Sequence, residues 1–188
     1  MPPALPADDA AWDARYGPAF TAAAPLHFTD LATVRRASDW LTARLADGEA
    51  ARFVDLGSGA GKFVLAAAAR HPAVQWWGVE RRGELHTVAE EWRRRYGVDN
   101  AHFVRGDLRD FPLDGFAGAY VFNPFGELLD PRPDLGTAGL GPRGTAAYRA
   151  AVRALRQNLR GVGEGFRLAT YFCGEGMFGP LRCEIAAL

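Results

Sequence analysis

Apolar residues along this chain recur at two different periods, and the alternation between the two predicts its elements. From Leu31 the positions Val34, Ala37, Leu41 and Leu45 share one helical face. They predict a helix to about Ala46, capped by Thr29 or Asp30 and ended by Gly48. Residues 53–56 form a short apolar run holding one acid, a strand, and the alanine-rich stretch from Lys62 to Arg70 is a helix. The pairing then repeats, with a strand over 74–80 and a helix from Glu84 to Tyr96 that turns Leu85, Val88, Ala89 and Trp92 inward. Gly97 closes this helix, and Arg93, Arg94 and Arg95 are its solvated end, suited to the negative pole of the helix dipole. Strands over 101–105 and 116–122, a helix over 146–160 with Tyr148, Val152, Leu155 and Leu159 on one side, a strand over 166–172 and a sixth over 181–187 complete the series. Such regular alternation predicts an α/β fold, a doubly wound and mostly parallel sheet with helices on both faces.

Residues 1–50 read as an N-terminal helical extension or lid and residues 51–188 as the domain proper. The extension starts as a poorly ordered Pro- and Ala-rich tail over 1–10, followed by a short helix from Ala11 to Phe20 around Trp12 and Tyr16. Asp130 to Gly144, dense in Gly and Pro, is a long loop over the active face.

Composition narrows the classes. At 188 residues, 48% hydrophobic and 23% charged, the chain suits one globular domain. Lys plus Arg number 22 and Asp plus Glu 22, so no global field steers it to nucleic acid or an anionic membrane, and nucleic acid is not the expected partner. The Met1-Pro2-Pro3 start lacks a charged n-region and an apolar h-region, which gives a cytoplasmic reading with no membrane partner. Cys173 and Cys183 are too few for a disulfide framework or a thiolate zinc site, and no metal is expected.

The candidate chemistry lies at the strand ends. Asp55-Leu56-Gly57-Ser58-Gly59-Ala60-Gly61-Lys62 is a strand, a tight glycine turn and a helix start, whose backbone can approach a ligand closely and whose N–H groups face it. A dinucleotide turn would place its third glycine where Lys62 stands. The next three strands also end in polar residues, Glu80, Asp107 and Asn123, which an open α/β sheet brings to its carboxyl edge.

The D-x-G-x-G-x-G spacing resembles motif I of the class I S-adenosylmethionine-dependent methyltransferases, and the resemblance extends over residues 53–126. It implies that S-adenosylmethionine is the cofactor and S-adenosylhomocysteine its product. Asp55, Gly57, Ser58, Gly59, Gly61 and Lys62 would form the motif I seat, Glu80 with Arg81 the ribose acceptor, and Asp107 with Leu108 the adenine site. Asn123-Pro124-Phe125 resembles the N-P-P-Y/F motif of enzymes acting on planar amide or exocyclic amino nitrogens, with one proline missing and Gly126-Glu127 following. Asn123, Phe125 and Glu127 are the candidate catalytic residues, Asn123 also flanking the cofactor, and Tyr16, His27 and Phe28 in the lid are the candidate acceptor contacts. The cofactor motifs are also similar to those of Dot1-like protein-lysine methyltransferases. The implied reaction is methyl transfer to a nitrogen or oxygen of a small molecule or protein side chain. A non-catalytic nucleotide-binding module and an NAD-dependent oxidoreductase are the other readings. Members of the class usually finish with an antiparallel hairpin, for which the chain after Pro180 is short. The last strand is then lacking, or a partner supplies it in a homodimer.

Overall fold

The computed structural model describes residues 2–14, 28–46, 48–129, 141–173, 177–178, 181 and 183–188. Its elements are α1 (Asp9–Asp13), α2 (Leu31–Thr42), β1 (Arg52–Leu56), α3 (Lys62–Arg70), β2 (Gln75–Glu80), α4 (Gly83–Tyr96), β3 (Ala101–Arg105), β4 (Gly118–Phe122), α5 (Gly141–Leu159), β5 (Arg167–Tyr171) and β6 (Glu184–Ala187), with a 3-10 turn at Gly126–Leu128. The strands form one six-stranded sheet in the order β3-β2-β1-β4-β5-β6. Every pairing is parallel.

Two apolar layers fix this arrangement. Phe53, Trp76, Tyr120 and Ala169 point to one face, where α2, α3 and α4 bury Val34, Leu41, Val64, Leu65, Leu85 and Trp92 against them. Val54, Val79, Val121 and Leu168 point to the other, under Leu155 and Leu159 of α5. The strand period of two feeds alternate side chains to the two layers. Asp30 caps α2 by accepting from Thr33 N at 2.8 Å, and Gly97 ends α4 in the left-handed region at φ 61°.

Some boundaries shift. Helix α1 begins at Asp9, inside the stretch expected to be a loose tail, and overlaps the start of the helix expected from Ala11 to Phe20, whose residues 15–20 lie outside the described residues: Asp8 caps α1 through Ala11 N at 2.7 Å, and Trp12, 1% exposed, stacks on Trp92 at 6.0 Å. Burying an indole offsets part of the ordering entropy of a short segment. Helix α5 begins at Gly141, inside the stretch expected to be loop. The sixth strand runs parallel beside β5, and no antiparallel strand occurs among the described residues. β6 is thus an edge, with Ile185 40% exposed. No helix among the described residues is long and apolar enough to cross a membrane.

Candidate functional site

Sheet order reverses between β1 and β4, and a crevice opens there at the carboxyl edge. A cavity of about 370 Å³ fills it, lined by Gly57, Gly59, Glu80, Asp107, Asn123 and Phe125. Three of the four polar strand tips, Glu80, Asp107 and Asn123, therefore converge, whereas Asp55 faces a second, smaller cavity with Ser58 and Phe28.

The glycine turn docks on β2 by its backbone. Gly57 N and Ser58 N both donate to Val79 O, at 2.9 and 3.0 Å, and Gly59 N donates to Glu80 Oε2 at 3.0 Å. Gly57, Gly59 and Gly61 all have positive φ. A Cβ at Gly61 would lie 2.7 Å from Phe103, so this glycine serves packing, and it lines neither cavity. Lys62 also departs from expectation. Its ammonium, 4% exposed, is held at 2.8 Å by both Asp9 and Asp13 of α1, and it borders only the smaller cavity. The cation meets the N-terminal helix rather than the larger crevice.

Two acids of the crevice share one construction. Glu80 Oε1 accepts from the backbone N and the Nε of Arg82, at 2.8 and 3.1 Å. Asp107 Oδ1 accepts from the backbone N and the Nε of Arg109, at 3.0 and 2.8 Å, with Oδ2 on Nη2. The Arg109 guanidinium holds the Asp107 carboxyl below the usual carboxylate range. Arg81 and Leu108 line the same cavity. Asp55, 4% exposed, is pushed well above its ordinary pKa by burial and then by the Glu80 charge.

Past β4 the backbone is strained. Asn123 has φ 38° and Phe125 φ 64°, and after β5 Phe172 has φ 50°; these are the non-glycine residues with positive φ among those described. A Cβ at Gly126 would collide with the Asn123 amide, so the glycine that departs from N-P-P-Y/F is what lets Asn123 fold over this turn. Phe122 stacks on Tyr171 at 5.5 Å, and Phe172, 68% exposed, meets Tyr171 edge-on at 4.7 Å. Thr29 Oγ1 and Tyr120 Oη share a hydrogen bond of 2.9 Å, which pins the residues beside Phe28. Tyr16, His27 and the Glu127 side chain lie outside the described residues.

Sequence reasoning missed Arg82, Arg109 and Phe122, which line the larger cavity. For the arginines a signal existed, an acid-x-Arg repeat at two successive strand ends, Glu80-Arg81-Arg82 and Asp107-Leu108-Arg109. The residues present fit a nucleoside cofactor. The cavity is of ligand size, and at Gly57 and Gly59 the turn presents backbone without Cβ bulk to it.

A family model described as "Methyltransferase domain" matches residues 53–135. The release factor glutamine methyltransferase of Vibrio cholerae serotype O1 is 34% identical over 103 residues, 54% of this chain and 35% of that protein. A tRNA (guanine-N(7)-)-methyltransferase of Halalkalibacterium halodurans is 31% identical over 85 residues, 45% of this chain and 38% of that protein. The chain thus spans little more than a third of the length of these curated relatives. Among solved structures, monomeric WbdD is similar in fold at 15% identity and TM-score 0.51, covering 73% of this chain and 29% of that one.

Proposed function

Because this chain carries a methyltransferase domain of the class I S-adenosylmethionine-dependent type, we propose that it transfers a methyl group from S-adenosylmethionine to a nitrogen of a flat acceptor. The observation that carries this is the convergence of Gly57, Gly59, Glu80, Asp107 and Asn123 on one crevice at the switch in strand order. When bound, the cofactor supplies an already activated methyl group, so the chain's task is holding, orienting and excluding water. In this reading Glu80 accepts from the ribose hydroxyls and Asp107 from the adenine amino group, with Leu108 packed against the turn. The Asn123 carboxamide oxygen accepts an N–H of the acceptor and turns its lone pair toward the crevice. Phe125 and the Phe122–Tyr171–Phe172 group offer ring faces and edges on which a planar amide or base stacks.

An amide or amine of a protein or small molecule suits such a wall, and so does a nucleobase. Relatives named for release factor glutamine and for tRNA guanine are the reason to test both classes, the neutral net charge notwithstanding. The test is calorimetry with S-adenosylhomocysteine, followed by transfer of labelled methyl to total tRNA, to a protein extract and to small aromatic amines. Asn123→Ala is expected to lower turnover about 100-fold while changing S-adenosylhomocysteine affinity far less. No heat with S-adenosylhomocysteine would end the reading, and binding without turnover on any acceptor would favour a non-catalytic module.

A further inference from the structure

The hydrogen bonds at the two crevice acids differ in what they leave free. A carboxylate offers about four lone-pair directions. At Glu80 the Arg82 backbone N–H, the Arg82 Nε and the Gly59 N–H take three of them. At Asp107 the Arg109 backbone N–H, Nε and Nη2 take three. An exocyclic amine needs a single acceptor, and Asp107 retains one. A vicinal diol brings two O–H donors, and Glu80 is one position short.

Of the three donors on Glu80, two are backbone groups fixed by the end of β2 and by the glycine turn. Only the guanidinium can leave. Its bond is the longest of the three at 3.1 Å, and the Arg82 side chain is 39% exposed, so water can receive it at small cost. We propose that Arg82 is an internal competitor for the ribose position: its guanidinium sits on Glu80 and swings out when a nucleoside diol enters, while Arg109 stays on Asp107. The inference rests on the reading of Glu80 as the ribose acceptor. Arg82 then selects for ligands whose two hydroxyls together replace it, and its return to Glu80 speeds loss of the spent cofactor. The two arginines, alike in sequence context, act with opposite sign, Arg109 holding its acid ready and Arg82 occupying its own.

The experiment is calorimetric titration of S-adenosylhomocysteine into wild type, Arg82→Met, Arg82→Lys and Glu80→Gln, with adenosine and 2′,3′-dideoxyadenosine as competitors. Arg82→Met is expected to bind S-adenosylhomocysteine about three- to tenfold tighter, with Arg82→Lys between it and wild type. The gain should extend to adenosine and vanish for the dideoxy analogue, a distinction that a general loosening of the fold would not make. Weaker or unchanged binding by Arg82→Met, or an equal gain for both nucleosides, overturns the proposal. Glu80→Gln separates the two levels: if it weakens binding tenfold or more while Arg82→Met gives no gain, only the competitor idea falls, and if it changes nothing, the ribose reading falls and takes the competitor with it.

Discussion

Asp55 and Lys62 bracket the glycine turn, and each is a buried charge with a different solution. Lys62 is neutralised by Asp9 and Asp13 at 2.8 Å. Removing the ammonium takes the cation from two carboxylates, one of them 44% exposed and also held by Leu31 N, so the cost falls below that of a fully buried pair. Lys62→Met is expected to destabilise the protein by about 1–2 kcal/mol in urea titration and to release α1. Among the described residues no cation is paired with Asp55, and its folded pKa is raised by burial and by the Glu80 charge. For a carboxyl raised on folding, the native state binds the proton more tightly than the unfolded chain. Its contribution is most favourable at acid pH and is lost as pH climbs above the unfolded value of about 3.9. Asp55→Asn is therefore expected to raise the urea midpoint at pH 7 and to change it little at pH 3.5. Asp107 has the opposite sign: its depressed pKa adds stability above the unfolded value, which is lost as pH falls through the lower folded one.

Elements were legible in the sequence wherever one period ran long enough. The apolar face of α2, the β1–turn–α3 unit and the acids ending β2 and β3 all follow from spacing, because strand and helix periods and a positive-φ turn are local properties. What local spacing does not carry is contact between distant segments. Lys62 and Asp13 stand 49 positions apart, and the parallel seat of β6 beside β5 depends on a long connection. Nor does spacing separate a glycine that touches a ligand from one that touches the core. Gly61 belongs to the second kind. With φ 87° and Phe103 and Ala89 within 3.0 Å of an added Cβ, Gly61→Ala is expected to cost about 3 kcal/mol or more, read as a large fall in urea midpoint.

For the molecule as a whole, the crevice sits where sheet order reverses, and both apolar layers end beneath it. A ligand there touches the tips of β1, β2 and β4 together with the loop after β3 and thus secures the sheet across its middle. At 100 times its Kd, S-adenosylhomocysteine is expected to stabilise the native state by about 2.7 kcal/mol, roughly 5–10 °C in Tm for a domain of this size. NADH at the same concentration should leave the melt unmoved, and the reverse pattern would restore the oxidoreductase reading.

The Trp12–Trp92 stack at 6.0 Å has a practical corollary. Two indoles so close couple optically, so near-ultraviolet circular dichroism gives α1 a label-free signature of its own. Followed during titration, that signal would tell whether the amino-terminal segment grips harder, loosens, or ignores the chemistry beneath it.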